Sequence, residues 1–137
     1  MRQKNLLHFG ILLLRIGIGV SMMFHGVPKM MAGPELWTGL GSAMGNLGIT
    51  FAPTFWGFMA AFAESVGGLL FALGLFFRPV SLMLVFNMIV AMLMHIMQGD
   101  GFALWGHALD LFIIFTGMLF IGPGKYSFDS KFFPRIA

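Results

Sequence analysis

The sequence contains no cysteine, which removes a disulfide framework, thiol chemistry and cysteine-ligated metal or iron–sulfur centres from this chain. Any redox chemistry therefore needs a borrowed cofactor. Charge is scarce as well: 9% of the 137 residues are Asp, Glu, Lys or Arg, too few to coat a water-soluble globule. No dinucleotide glycine fingerprint, P-loop or Ser-x-x-Lys pattern occurs, so nucleotide binding and covalent catalysis have no motif to rest on. A pI near 9.8 raises nucleic-acid binding as an idea, but the cations flank apolar runs and do not gather on one polar face. A nucleic-acid partner is not expected.

What the sequence does have is apolar length. Hydrophobic residues make up 58% and aromatic residues 15% of the chain, and the mean hydropathy is +0.91. A helix needs roughly 20 mainly apolar residues to cross a bilayer. Four stretches reach that length: Leu6 to Val27, Thr54 to Phe77, Val80 to Gln98 and Phe102 to Gly122. The expected fold is an all-α membrane protein, a four-transmembrane-helix bundle forming one domain over residues 1–137, with the bilayer as its first partner. The first apolar run is too long for a signal-peptide core and lacks a small-x-small cleavage site, so it is expected to remain as a span.

If the spans alternate, Arg2, Lys4, Arg78, Lys125, Lys131 and Arg135 share one side of the membrane, while Lys29, Glu35 and Asp100 lie on the other. The excess of cations on the first side predicts that both termini are cytoplasmic. The longest connection, Pro28 to Pro53, places Leu36, Trp37, Leu40, Met44 and Leu47 at roughly helical spacing between Gly and Pro breaks, which predicts a short interfacial helix. Trp37, Trp56 and Trp105 all fall near that boundary, where indole rings anchor.

Three residues of the Asp, Glu, Lys and Arg types sit inside the spans: Arg15, Glu64 and Asp110. Each costs about 2.5–3.5 kcal/mol at a helix centre on insertion scales, so each needs a partner. Counting inward from the two ends places Arg15 and Glu64 near mid-membrane, which predicts an intramembrane ion pair. His25 and Lys29 are four residues apart, with Pro28 between them expected to bend or end the helix. His107 and Asp110 are three apart, hence on one helical face, and His95 falls at matching depth on the third span. Together His107, Asp110, His95, His25 and Lys29 predict a polar cavity in one half of the bundle, roofed by the Trp37 segment. The same histidines and Asp110 are residue types that metals accept, but no tight ligand spacing supports a centre, and no metal is assigned.

Four quoted stretches, "LLLRIGIGVSMMFHGVPKM", "FAESVGGLLFALGLFFRPVSLML", "MLMHIMQGDG" and "IGPGKYSFDSKFF", resemble in order the DoxX family of small bacterial four-helix membrane proteins. The resemblance is carried by Arg15 with His25-Gly26 and Lys29, by Glu64-x-x-Gly67-Gly68 running into Leu73-Gly74-x-x-x-Arg78, and by Gly122-Pro123-Gly124 followed by Ser127 and Asp129. It implies the four-helix fold and a link to quinone-dependent membrane oxidoreductases, since the family name comes from a subunit associated with a terminal quinol oxidase. The resulting expectation is a quinone-associated, non-catalytic subunit or accessory component of a redox membrane complex, alongside other redox subunits or further copies of itself. A structural or assembly factor is the alternative, and a small-solute or proton transporter the second alternative. No cofactor is intrinsic to the chain; quinone is the one expected to be borrowed.

Overall fold

The computed structural model describes residues 2–134, with the side chain of Arg2 excluded. Four of its helical stretches are long and apolar enough to cross a membrane: Gln3–Ala32 in α1 (Arg2–Ala32), Pro53–Leu73, α5 (Phe77–Met97) and α6 (Phe102–Ile121). The second is composite, with α3 (Pro53–Phe62) and α4 (Gly68–Leu73) joined by a π-helical turn over Ala63–Gly67. Two shorter helices complete the chain. α2 (Pro34–Gly41) continues into a 3₁₀ turn over Ser42–Leu47, and α7 (Phe128–Phe132) follows the last span. There is no strand among the described residues, so the expected all-α membrane bundle stands. Arg135, counted among the cations at the terminal end, lies outside the described residues.

The span boundaries shift from expectation by up to five residues, most at the ends of the first and second spans. α1 runs through Pro28 to Ala32 instead of ending near Val27. Proline removes one backbone donor, but the next turn is pinned from outside, where the Trp37 indole donates to the Lys29 carbonyl at 2.9 Å. The helix stops only before Gly33, at φ +89°. The second span ends at Leu73, short of Phe77, because Gly74 adopts a left-handed φ of +66°, which glycine tolerates without a Cβ clash.

α1 and the second span run antiparallel in a register set by small residues. A Cβ on Gly26 would overlap the backbone of Glu64 and Ser65, one on Gly19 would strike Gly68 and Ala72, and one on Gly74 would meet the Arg15 guanidinium at 2.8 Å. Small residues let membrane helices approach this closely. Beneath this seam Phe71 stacks on Phe77 at 4.8 Å and meets Phe115 edge-on at 5.1 Å. All three are fully buried.

The segment after α1 packs against the bundle. α2 packs on α3 with Gly41 against Pro53 and Gly57 against Trp37, each too close for a Cβ, and Ala43 and Met44 of the 3₁₀ turn are buried. α6 packs along α5 but touches α1 only sparsely. This leaves a seam open between α1 and α6, while Leu6, Leu13, Leu82, Ile113 and Phe120 are exposed on the outer faces of the bundle.

Candidate functional site

The predicted Arg15–Glu64 pair does not form; each residue belongs to a different end of the bundle. The register explains why. Gly26 is level with Glu64, and Arg15 is level with Gly74, so about ten residues, or roughly 15 Å at 1.5 Å per residue, separate the two groups. Depth counted from presumed span ends missed this because α1 continues past Pro28.

At the end that carries the chain termini, Arg15 is 1% exposed. Its guanidinium donates to the carbonyls of Pro123, Ala72 (3.1 Å) and Tyr126 (3.0 Å), leaving Nε without a partner among the described residues. The planar fork of an arginine suits several acceptors at once, and here it ties α1 and α4 to the segment after α6. Asp129, also buried, accepts from the backbone N–H groups of Phe76 and Phe77 at 2.9 and 2.8 Å. It thereby caps the N-terminus of α5 from a residue far along the chain. The same contacts hold Phe76 at its left-handed φ of 48°, a conformation that non-glycine residues adopt at a cost. Both glycine-proline-glycine and Ser127/Asp129 elements of the sequence thus serve a closed structural lock.

At the opposite end, where the two loops lie, Glu64 is 5% exposed on the π-helical turn. Lys29 Nζ lies 2.9 and 2.6 Å from its two carboxylate oxygens, and Asn87 Nδ2 donates to Oε1 at 3.0 Å. Neither partner was foreseen, Asn87 because a lone amide in an apolar run carries no charge signal. The π turn inserts an extra residue into the helical ladder and commonly marks functional positions. Here it places a carboxylate at the floor of a cavity of about 210 Å³.

That cavity gathers most of the predicted cluster. His25 and Lys29 of α1, Glu64, His95 of α5 and His107 of α6 line it, above a floor that includes Met22, Met88 and Leu111. His25 and His107 face each other across the open seam with ring centroids 5.8 Å apart, and both residues are exposed. His95 is fixed from behind: its Nδ1 lies 2.7 Å from Asp100 Oδ2. With Nδ1 donating to that carboxylate, Nε2 remains to meet a guest. Asp110 is the exception. It is exposed on α6, does not line the cavity and makes no hydrogen bond or ion pair among the described residues. Three-residue spacing shares a face only approximately, and α6 is rotated so that His107 turns to the seam and Asp110 away from it. Nor does the Trp37 segment roof the cavity, since it is seated over α3 and α5 while the cavity lies toward α6.

The arrangement combines fixed donors, one bound carboxylate and imidazoles on three helices around a partly apolar space. It can hydrogen-bond an oxygen-bearing ring and exchange protons with it. No group of three or more His, Asp or Glu side chains is placed to hold a metal among the described residues.

The family model described as DoxX matches residues 10–96, from the first span through His95 but short of α6 and the segment that follows it. No curated protein and no solved structure matches the chain.

Proposed function

The chain belongs to the DoxX family of integral membrane proteins, and from that premise we propose that it is a quinone-associated component of a redox membrane complex, holding the quinone ring in the loop-end cavity. The observation that carries this reading is the joint presence of two pre-bonded polar pairs, Lys29–Glu64 and His95–Asp100, and an open seam beside them. An apolar cavity of about 150 Å³ accepts a benzene ring, so about 210 Å³ suffices for a ring-sized head. Its isoprenoid tail would leave between α1 and α6.

In this reading the third Nζ proton of Lys29 donates to one ring oxygen, and on the opposite wall His95 Nε2 accepts from the hydroxyl of the reduced ring. His107, exposed at the seam, exchanges protons with the loop-end solvent, and Glu64 holds Lys29 in place. The quinone supplies two-electron redox chemistry; its electrons come from a partner protein, because this chain has no thiol of its own. A transport path is less supported, since Phe71, Phe77 and Phe115 fill the half of the bundle below the cavity.

An inner-membrane location with cytoplasmic termini accompanies the proposal. Lys4, Arg78, Lys125 and Lys131 sit at the terminal end and are exposed, as the positive-inside rule requires. A phosphatase reporter fused after Ala137 should be inactive and a fluorescent one bright; the reverse pattern inverts the topology. An assembly factor without chemistry of its own is the second reading, favoured by the exposed Asp110 on a membrane-spanning helix, which a neighbouring protein would have to satisfy.

The test is ligand-dependent stability in detergent. A short-chain quinone at a hundred times its Kd stabilises by about 2.7 kcal/mol, visible as a raised Tm. The rise should vanish in His107→Ala and Lys29→Met. A parent protein whose Tm ignores quinone leaves the assembly reading in possession.

A further inference from the structure

A second concavity lies at the terminal end, on the outer side of α1 and α4, and has no part in the quinone proposal. It measures about 740 Å³. Its walls divide by chemistry along the direction of the spans. Leu12, Ile16 and Leu73 form an apolar strip on the spans, while Lys125, Ser130 and Lys131 stand at its terminal rim. Ile16 and Leu73 are exposed on the outer face of the bundle, so the strip opens sideways into lipid.

The rim carries uncompensated positive charge. Lys125 Nζ bonds the Asn5 side-chain amide oxygen, and Lys131 Nζ lies 5.5 Å above the Phe132 ring. Neither lysine meets a carboxylate among the described residues. Behind them Arg15, which also lines the groove, makes its hydrogen bonds to backbone carbonyls and none to a carboxylate. The nearest acid, Asp129, is buried with its oxygens spent on Phe76 and Phe77. Tyr126 and Phe128 flank the rim and are exposed, at the level where aromatic side chains meet headgroups.

We propose that this groove is a binding site for an anionic phospholipid, with the phosphate between Lys125 and Lys131 and one acyl chain along Leu12, Ile16 and Leu73. Basic pockets between spans on the cytoplasmic side suit such headgroups, and an apolar strip continuous with the lipid face distinguishes this groove from a site for free phosphate. The lipid would also cover the Arg15 lock from its outer side, coupling headgroup charge to the closure of the terminal end.

Native mass spectrometry of the full chain in neutral detergent tests this, comparing phosphatidylglycerol with phosphatidylcholine of identical chains. The anionic lipid should bind more tightly, and the preference should fall about fivefold for each of Lys125→Gln and Lys131→Gln, the equivalent of about 1 kcal/mol per cation. Lys4→Gln with Arg78→Gln removes two cations of the same end that lie outside the groove and should leave the preference unchanged. Equal binding of the two lipids overturns the site, as does an equal loss in the Lys4/Arg78 variant, which would reveal only a diffusely positive end. Competition by inorganic phosphate at concentrations similar to those of the lipid would also overturn it, because the acyl strip would then contribute nothing.

Discussion

Arg15 and Glu64 are both ionisable residues buried in the spans of one small bundle, and their surroundings could hardly differ more. Arg15 is met by backbone carbonyls from two other segments, within a packed end whose turns depend on it. Glu64 is met by side chains, one of them the half-buried Lys29, at the edge of a cavity open on one side. Backbone carbonyls are held by the helix and turn that carry them, whereas the side chains of Lys29 and Asn87 can swing away. The same cost of burying a charge is thus spent at one end on architecture and at the other on a site that can respond.

The largest effect expected from breaking this contrast is at Arg15. Arg15→Leu orphans the acceptors it serves, at roughly 1–3 kcal/mol for each buried group left unsatisfied, and should abolish a cooperative melting transition in detergent. Arg15→Lys should recover only part of the loss, because an ammonium cannot reproduce the fork. Next comes the register itself: Gly26→Val forces α1 off the π turn at Glu64 and should cost about 1–3 kcal/mol, as overpacking does. Proteolysis of the loop after α1 in that variant would report the opening. Glu64→Gln keeps the Asn87 contact and frees Lys29, whose side chain is 33% exposed. With solvent screening the loss should be about 1 kcal/mol, well below that of Arg15→Leu, while the quinone response should drop sharply. A Glu64→Gln protein as unstable as Arg15→Leu would erase the distinction between the two ends. The smallest effect is expected at Asp110, where Asp110→Asn should move the Tm of the isolated chain by no more than about 0.5 kcal/mol equivalent.

Much of the fold was legible in the sequence for a simple reason: in a bilayer, apolar length alone dictates spans, and the four runs ending at turns such as Gly74 and Gly99 are long enough to show it. The polar cluster was legible too in its histidines and Lys29, because titratable groups are rare in such segments. What could not be read was rotation and register. Both depend on contacts such as Gly26 against Ser65, which spacing along one helix does not encode, so depth alone pairs Arg15 with the wrong residue and three-residue spacing puts Asp110 on the wrong face. The π turn at Ala63–Gly67 leaves no compositional trace, yet it aims Glu64. Asp129 stood out only as part of a tail motif; its role at the start of α5 required the tail to fold back.

The central claim, that the loop end binds a quinone while Arg15 at the terminal end holds the fold together, is tested most directly by mapping where a photoreactive azidoquinone attaches. The account predicts covalent label within Met22–Lys29 of α1 and Leu104–Leu111 of α6, competed away by unlabelled quinone. Label confined to residues around Arg15, Tyr126 and Lys131, or spread evenly over the lipid-facing surface without competition, would contradict it.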